Sequence, residues 1–140
     1  MAARDAAIRR RFTTEQGFVD VMYEIGVGEN ERNRIVADGF VNMTEYVTQF
    51  ENNVEGLITY LRNLNRTFAT AIDPAVRVYF PPPIVNRMAG VLYYASQCYF
   101  SFHTIPDVGM ITSALATDYY KNYTDQKGLK IVKVLRIWTF

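Results

Sequence analysis

The 140-residue chain has one cysteine, one histidine and one tryptophan. One cysteine cannot form an internal disulfide, and one histidine with one cysteine cannot complete a His/Cys zinc site, which excludes a disulfide-stapled scaffold and a zinc module. No apolar run approaches the ~20 residues of a membrane-spanning helix. The Arg9-Arg10-Arg11-Phe12 run could open a twin-arginine export signal, but Glu15, Asp20 and Glu24 interrupt the apolar stretch that would have to follow. Asp5 and Glu15 also argue against an acid-poor mitochondrial presequence. The expectation is an intracellular compartment, cytoplasmic or nuclear, without a membrane partner. The N-x-T triplets at Asn42, Asn65 and Asn122 are then read as chance matches.

What is present is an ordinary globular composition, 49% hydrophobic and 21% charged, which excludes a disordered tail or a collagen-like fibre. Aromatics are abundant, with 10 Tyr and 9 Phe. The net charge of +1 hides a division. Residues 1–12 carry Arg4, Arg9, Arg10 and Arg11 against Asp5. Residues 121–140 carry Lys121, Lys127, Lys130, Lys133 and Arg136 against Asp125. Between them lie six Arg and twelve acids. Basic ends on an acidic body suit polyanion binding or head-to-tail attraction between copies.

The first half reads as short helices. Thr14 is the expected N-cap of a helix over 15–25, with Phe18, Val19, Met22 and Ile25 on one face. Gly26 and Gly28 stop it. A second helix is expected over 29–37, ended by Asp38-Gly39, and a third from Thr44 to Phe50. Asn52 or Asn53 caps a longer one to Phe68, with Val54, Leu57, Ile58, Leu61, Leu64 and Phe68 on one face. No element is read in residues 1–12.

Residues 69–83 read as an extended, proline-containing connector with docked aromatic residues, and Pro81-Pro82-Pro83 as a stiff lead-in to the next helix. That helix is expected from Ile84 to Phe102, with Ile84, Met88, Val91, Leu92, Ala95, Cys98, Tyr99 and Phe102 as its apolar stripe and Ala89-Gly90 permitting close approach of a neighbour. A further helix over 110–122 places Ile111, Leu115 and Tyr119 inside, and Asp125 to Gly128 reads as a turn. The last segment, 129–140, is read as a helix with Ile131, Val134, Leu135 and Trp138 on one side and Lys130, Lys133 and Arg136 on the others. A strand is the alternative there.

The search for chemistry returns no catalytic, cofactor-binding or metal-ligating residue. Cys98 and His103, five apart, would stand about 140° apart on a helix and would not face each other. Gly26-Val27-Gly28 lacks the rest of a phosphate-binding loop. An enzyme is not expected. The candidate nucleic-acid residues are Arg9, Arg10, Arg11, Lys121, Lys130, Lys133 and Arg136. Tyr93, Tyr94, Tyr119, Tyr120 and Tyr123 are candidate stacking partners near Lys121 and Arg87. The candidate self-association residues are Ile131, Val134, Leu135 and Trp138.

The pattern Gly26-Val27-Gly28, then Ile35-Val36-Ala37-Asp38-Gly39-Phe40, then Leu57 and Leu61, resembles sterile-alpha-motif-like and helix-hairpin-like small domains. The succession IVADGF (35–40), LITYLRNL (57–64), the aromatic-proline joint (79–83) and NRMAGVLYYASQCYF (86–100) resembles the Gag-like N-terminal region of retroelement polyproteins of algae and other protists. The second resemblance covers about residues 15–138. It implies a particle-forming or element-associated structural protein, or a fragment of one, with itself as partner and nucleic acid near its basic ends. The expected fold is all-α: a sterile-alpha-motif-like module over 13–68, the connector over 69–83, and a C-terminal helical pair or bundle over 84–140, either separate from the first module or packed with it as one domain.

Overall fold

The computed structural model describes residues 2–51, 53–68 and 78–138, with side chains described for 6–51, 53–67 and 78–128. The fold is all-α, without a strand among the described residues. In chain order the helices are α1 (Ala2–Thr13), α2 (Glu15–Glu24), α3 (Glu29–Ala37), α4 (Met43–Phe50), α5 (Val54–Phe68), α6 (Pro82–Ser96) and α7 (Ser113–Trp138). A π-helical turn, Gln97–Ser101, extends α6, and a short 3-10 turn, Val108–Met110, precedes α7.

The boundaries of α2 to α5 follow local chemistry. The Thr14 hydroxyl accepts from the Gly17 N–H (3.0 Å), and Asn42 Oδ1 accepts from the Glu45 N–H (2.8 Å). Asn53 Oδ1 accepts from the Gly56 N–H (3.0 Å). Each satisfies a donor that a helix start leaves without an intrahelical partner. Gly26, at φ +95°, ends α2: its N–H donates to the Tyr23 carbonyl, and the Val27 N–H reaches back to the Met22 carbonyl at 2.9 Å. That closure needs a left-handed residue, which glycine supplies without steric cost.

Several expectations need correction. Residues 2–13 form a helix, because Phe12 is buried beside Tyr99 (ring centroids 5.9 Å apart) and draws the basic segment onto the body. The 84–102 helix starts two residues earlier, at Pro82, and its α-helical part ends at Ser96. The π turn after it shifts the phase of the stripe, so Phe102 is 69% exposed and Cys98 and Tyr99 are half-buried. The expected break at Asp125–Gly128 is absent: α7 is one helix of 26 residues. One glycine inside a helix costs only about 1 kcal/mol, too little by itself to break it.

Of the connector, residues 69–77 lie outside the described residues. Its end is extended and docked. Val78 and Phe80 are buried and Tyr79 is exposed. The Asn65 side-chain amide brackets Phe80, with Nδ2 donating to the Phe80 carbonyl (2.7 Å) and Oδ1 accepting from its N–H (2.6 Å). Pro82 and Pro83 then occupy the first turn of α6, where a missing N–H costs nothing.

Helix α6 is the axis of the molecule. Ten of its 15 residues are buried, Ile84, Val85 and Met88 through Tyr93 among them. They belong to one hydrophobic cluster with buried residues of α1 to α5, including Phe12, Phe18, Ile35, Tyr46 and Leu61. The Tyr46 hydroxyl donates to the Met88 carbonyl at 2.7 Å, tying α4 to α6. Ser96, wholly buried, donates to the carbonyl of Glu51, which sits at φ +52° where α4 ends.

Gly90 lies against Ala116 and Tyr120, and Tyr93 against Tyr123 and Gln126, so α6 and α7 run in the same direction. Residues 97–112 must therefore travel back along α6 before α7 can start. A Cβ at Gly90 would stand 1.9 Å from the Ala116 carbonyl oxygen, so this crossing requires glycine. It also sets the phase of α7. Ala116 faces inward, whereas Leu115, expected inside, is 42% exposed.

Candidate functional site

Helix α1 carries the N-terminal cations, and the structure divides them. Arg11 turns toward α2, its Nη2 donating to both carboxylate oxygens of Glu24 at 3.0 Å. Arg9 and Arg10 are exposed. Arg9, Ile8, His103, Thr104 and Ile105 line a hollow of about 490 Å³. His103 also borders a neighbouring hollow of about 340 Å³ with Tyr99 and Phe100.

The knuckle that carries His103 is a product of the π turn. The Thr104 N–H donates to the Cys98 carbonyl (3.0 Å), and His103 takes φ +53° to close it. Phe100 (40% exposed) and Phe102 (69% exposed), on either side of Ser101, stand out into solvent before this knuckle. Exposed aromatic rings next to guanidinium groups can stack bases and hold phosphates.

Lys121 is exposed on α7. Lys130, Lys133 and Arg136, and the apolar set Ile131, Val134, Leu135 and Trp138, belong to the same helix, but their side chains lie outside the described residues. Lys127, one turn before that segment, donates to Glu55 Oε1 of α5 at 2.5 Å. The Tyr123 hydroxyl donates to the same oxygen at 2.8 Å. The lysine and tyrosine hydrogen bonds hold the Glu55 carboxyl below its usual range. Burial and the bond to Glu55 push the Tyr123 phenol up to about 12.

The tyrosines considered as a stacking platform are drawn between α6 and α7. Tyr94 stacks on Tyr119 (4.6 Å) and its hydroxyl accepts from the Asp107 N–H (3.1 Å). Tyr93 is buried and tilts against Tyr123 at 5.5 Å. Arg87 points away from them, its Nη1 donating to the Ile25 carbonyl at 3.3 Å. Cys98 is half-buried, and burial pushes its thiol up, the opposite of an activated nucleophile. Among the described residues, no three His, Cys, Asp or Glu side chains cluster as a metal site would require. No helix of the described residues is long and apolar enough to cross a membrane.

Two polar constellations were not legible in the sequence. Glu55 with Lys127 spans 72 residues, and Tyr93 with Gln126 spans 33. No local spacing signals either pair. Compared with protein-family models, curated proteins and solved structures, the chain matches none.

Proposed function

We propose that the chain is a non-enzymatic assembly protein that associates with further copies of itself through the C-terminal turns of α7, as a Gag-like structural component of a retroelement or virus-like particle would. The observation that supports this reading is the unbroken course of α7 through Gly128 to Trp138. Tyr93, near the end of α6, meets Gln126, and α7 continues to Trp138, twelve residues or about 18 Å further. On a continuous helix the spacing of Ile131, Val134, Leu135 and Trp138 puts four apolar residues on one side, with Lys130, Lys133 and Arg136 on the others. A stripe of this kind gains by burial against a second helix. Basic ends and an acidic body attract successive copies.

Light scattering after gel filtration tests it. The full chain gains mass as its concentration rises, whereas Leu135→Glu and a chain lacking 129–140 stay monomeric with unchanged far-ultraviolet circular dichroism. A full chain that is monomeric at every concentration, or a truncated chain that loses its fold, overturns the reading.

A second reading, single-stranded nucleic-acid binding, is favoured by Arg9 and Phe100, which border hollows shared with His103, and by the exposure of Arg10 and Phe102 on the same two segments. In that case Phe102→Ala and Arg9→Ala each weaken oligonucleotide binding, and the affinity falls steeply with salt. Absence of binding at low salt rejects it.

A further inference from the structure

We propose that the hollow enclosed by α5, the end of α6, the π turn and α7 binds a small, neutral, polyhydroxylated molecule of monosaccharide size. This goes beyond the assembly reading and uses none of residues 129–140. The hollow encloses about 320 Å³, with Tyr93, Gln97, Ser101, Tyr123, Gln126 and Lys127 arranged over Val54. That volume is at the small end of ligand sites, which run from about 300 to 1,000 Å³.

The wall is pre-ordered. The Tyr93 hydroxyl donates to Gln126 Oε1 (2.5 Å) and accepts from Gln97 Nε2 (2.8 Å). This relay fixes both amides and does not use the Gln97 carbonyl or the Gln126 amino group. Those two groups are the amide halves outside the relay, and both glutamines line the same space as Ser101. The π turn supplies both Gln97 and Ser101, and such turns recur at functional sites.

Charge selects the ligand class. The one ammonium of the wall, Lys127, is matched by Glu55, which also binds Tyr123. An anion entering here must share the Lys127 ammonium with the carboxylate already bound to it, and a cation meets that ammonium directly. A neutral hydroxyl meets neither penalty, and because it both donates and accepts it suits a wall that mixes the two. The half-buried Tyr123 ring, tilted 55° against Tyr93, offers an apolar surface to the C–H face of a sugar-like ring.

The test follows the side-chain amide resonances of Gln97 and Gln126 in nitrogen–proton correlation spectra of the full chain. Their assignment comes from Gln97→Leu and Gln126→Leu. The probes are d-glucose, d-galactose and myo-inositol, with d-glucuronate as the anionic counterpart of glucose. The expected result is a saturable shift of both amides with at least one neutral probe. Gln126 is exposed, so its replacement leaves the fold intact and weakens that probe roughly tenfold or more, as loss of a ligand hydrogen bond does. Gln97→Leu behaves alike and serves as the second variant. Glucuronate binds more weakly than glucose. No saturable shift with any neutral probe, unchanged affinity in both variants, or tighter binding of glucuronate overturns the proposal. Monomeric and assembled chains bind alike, so failure of the assembly reading leaves this outcome readable.

Discussion

Helices α5 and α6 have the same length, 15 residues, and opposite situations. Helix α5 buries Val54, Leu57, Ile58, Leu61 and Leu64 and leaves Glu55, Arg62, Asn63 and Arg66 in water. Its pattern in sequence and its burial in space are the same object. Helix α6 is covered on nearly every side, by α4 and α5, by Phe80 and by α7. Its sequence still reads as a stripe, because Asn86, Arg87 and Tyr94 fall on the other side and are only half-buried. A stripe therefore reports one partner layer. It does not report a second layer that packs through glycine and alanine.

The sharpest way to break this contrast is at its glycines. Gly90→Val in α6 places side-chain atoms where the Ala116 backbone already lies, since a Cβ there stands 1.9 Å from the Ala116 carbonyl oxygen. Backbone cannot move aside as a side chain can. Overpacking ordinarily costs about 1–3 kcal/mol, and this variant exceeds that range and fails to fold, seen as loss of cooperative thermal unfolding.

Next in size are the leucines. Leu61 and Leu92 are both fully buried, and truncation of either to Ala costs roughly 2–5 kcal/mol in denaturant unfolding. Leu92→Ala is the costlier, because α6 is enclosed and its neighbours cannot close the cavity. Equal values would show that the two helices are held alike, and reversed ones that α5 is the more enclosed.

Tyr46→Phe comes third. It leaves the Met88 carbonyl without its phenol partner and costs about 1–2 kcal/mol. Burial raises the Tyr46 phenol well above the ordinary value of 10.0, and burial with the bond to Asp38 raises Tyr60 as well. Both favour the neutral phenol in the folded state. Their contribution is complete below the unfolded value of about 10 and is lost as pH rises through the folded values. The chain should unfold in alkali, with circular dichroism and phenolate absorbance changing together. Tyr46→Phe should move that midpoint upward relative to its own lower stability at neutral pH.

The smallest effect belongs to α5. At Gly56 a Cβ meets only the Asn53 side chain, 2.8 Å from Nδ2, which can rotate away. Gly56→Ala gains up to about 1 kcal/mol of helix propensity and loses part of it as the Asn53 cap shifts. Its stability should stay within a few tenths of a kcal/mol of the parent in denaturant unfolding, in contrast to Gly90→Val.

Much of the candidate surface is legible in the sequence only as residue type. Arg9, Arg10 and Arg11 stand out as a run, but which of them faces water depends on Glu24, thirteen residues beyond Arg11. Helical phase carried through Gln97–Ser101 puts Phe102 inside, and nothing local announces the wider turn that turns it out. The Gln97–Tyr93–Gln126 relay joins residues whose types are unremarkable apart.

What the amino-acid sequence by itself determined is the set of elements whose ends are sealed locally. Thr14, Asn42 and Asn53 bond backbone donors three residues ahead, Gly26 adopts a conformation that other residues resist, and Pro82 and Pro83 suit a first helical turn, where no N–H is needed. Those energies act within one turn, so a short stretch of sequence contains both partners of each interaction. The tertiary structure alone decided that residues 2–13 form a helix, that α7 passes through Gly128, and which face of α7 turns inward. Each depends on contacts across long separations, Phe12 with Tyr99, Glu55 with Lys127, Gly90 with Ala116, and their strength exists only once the chain has brought the partners together.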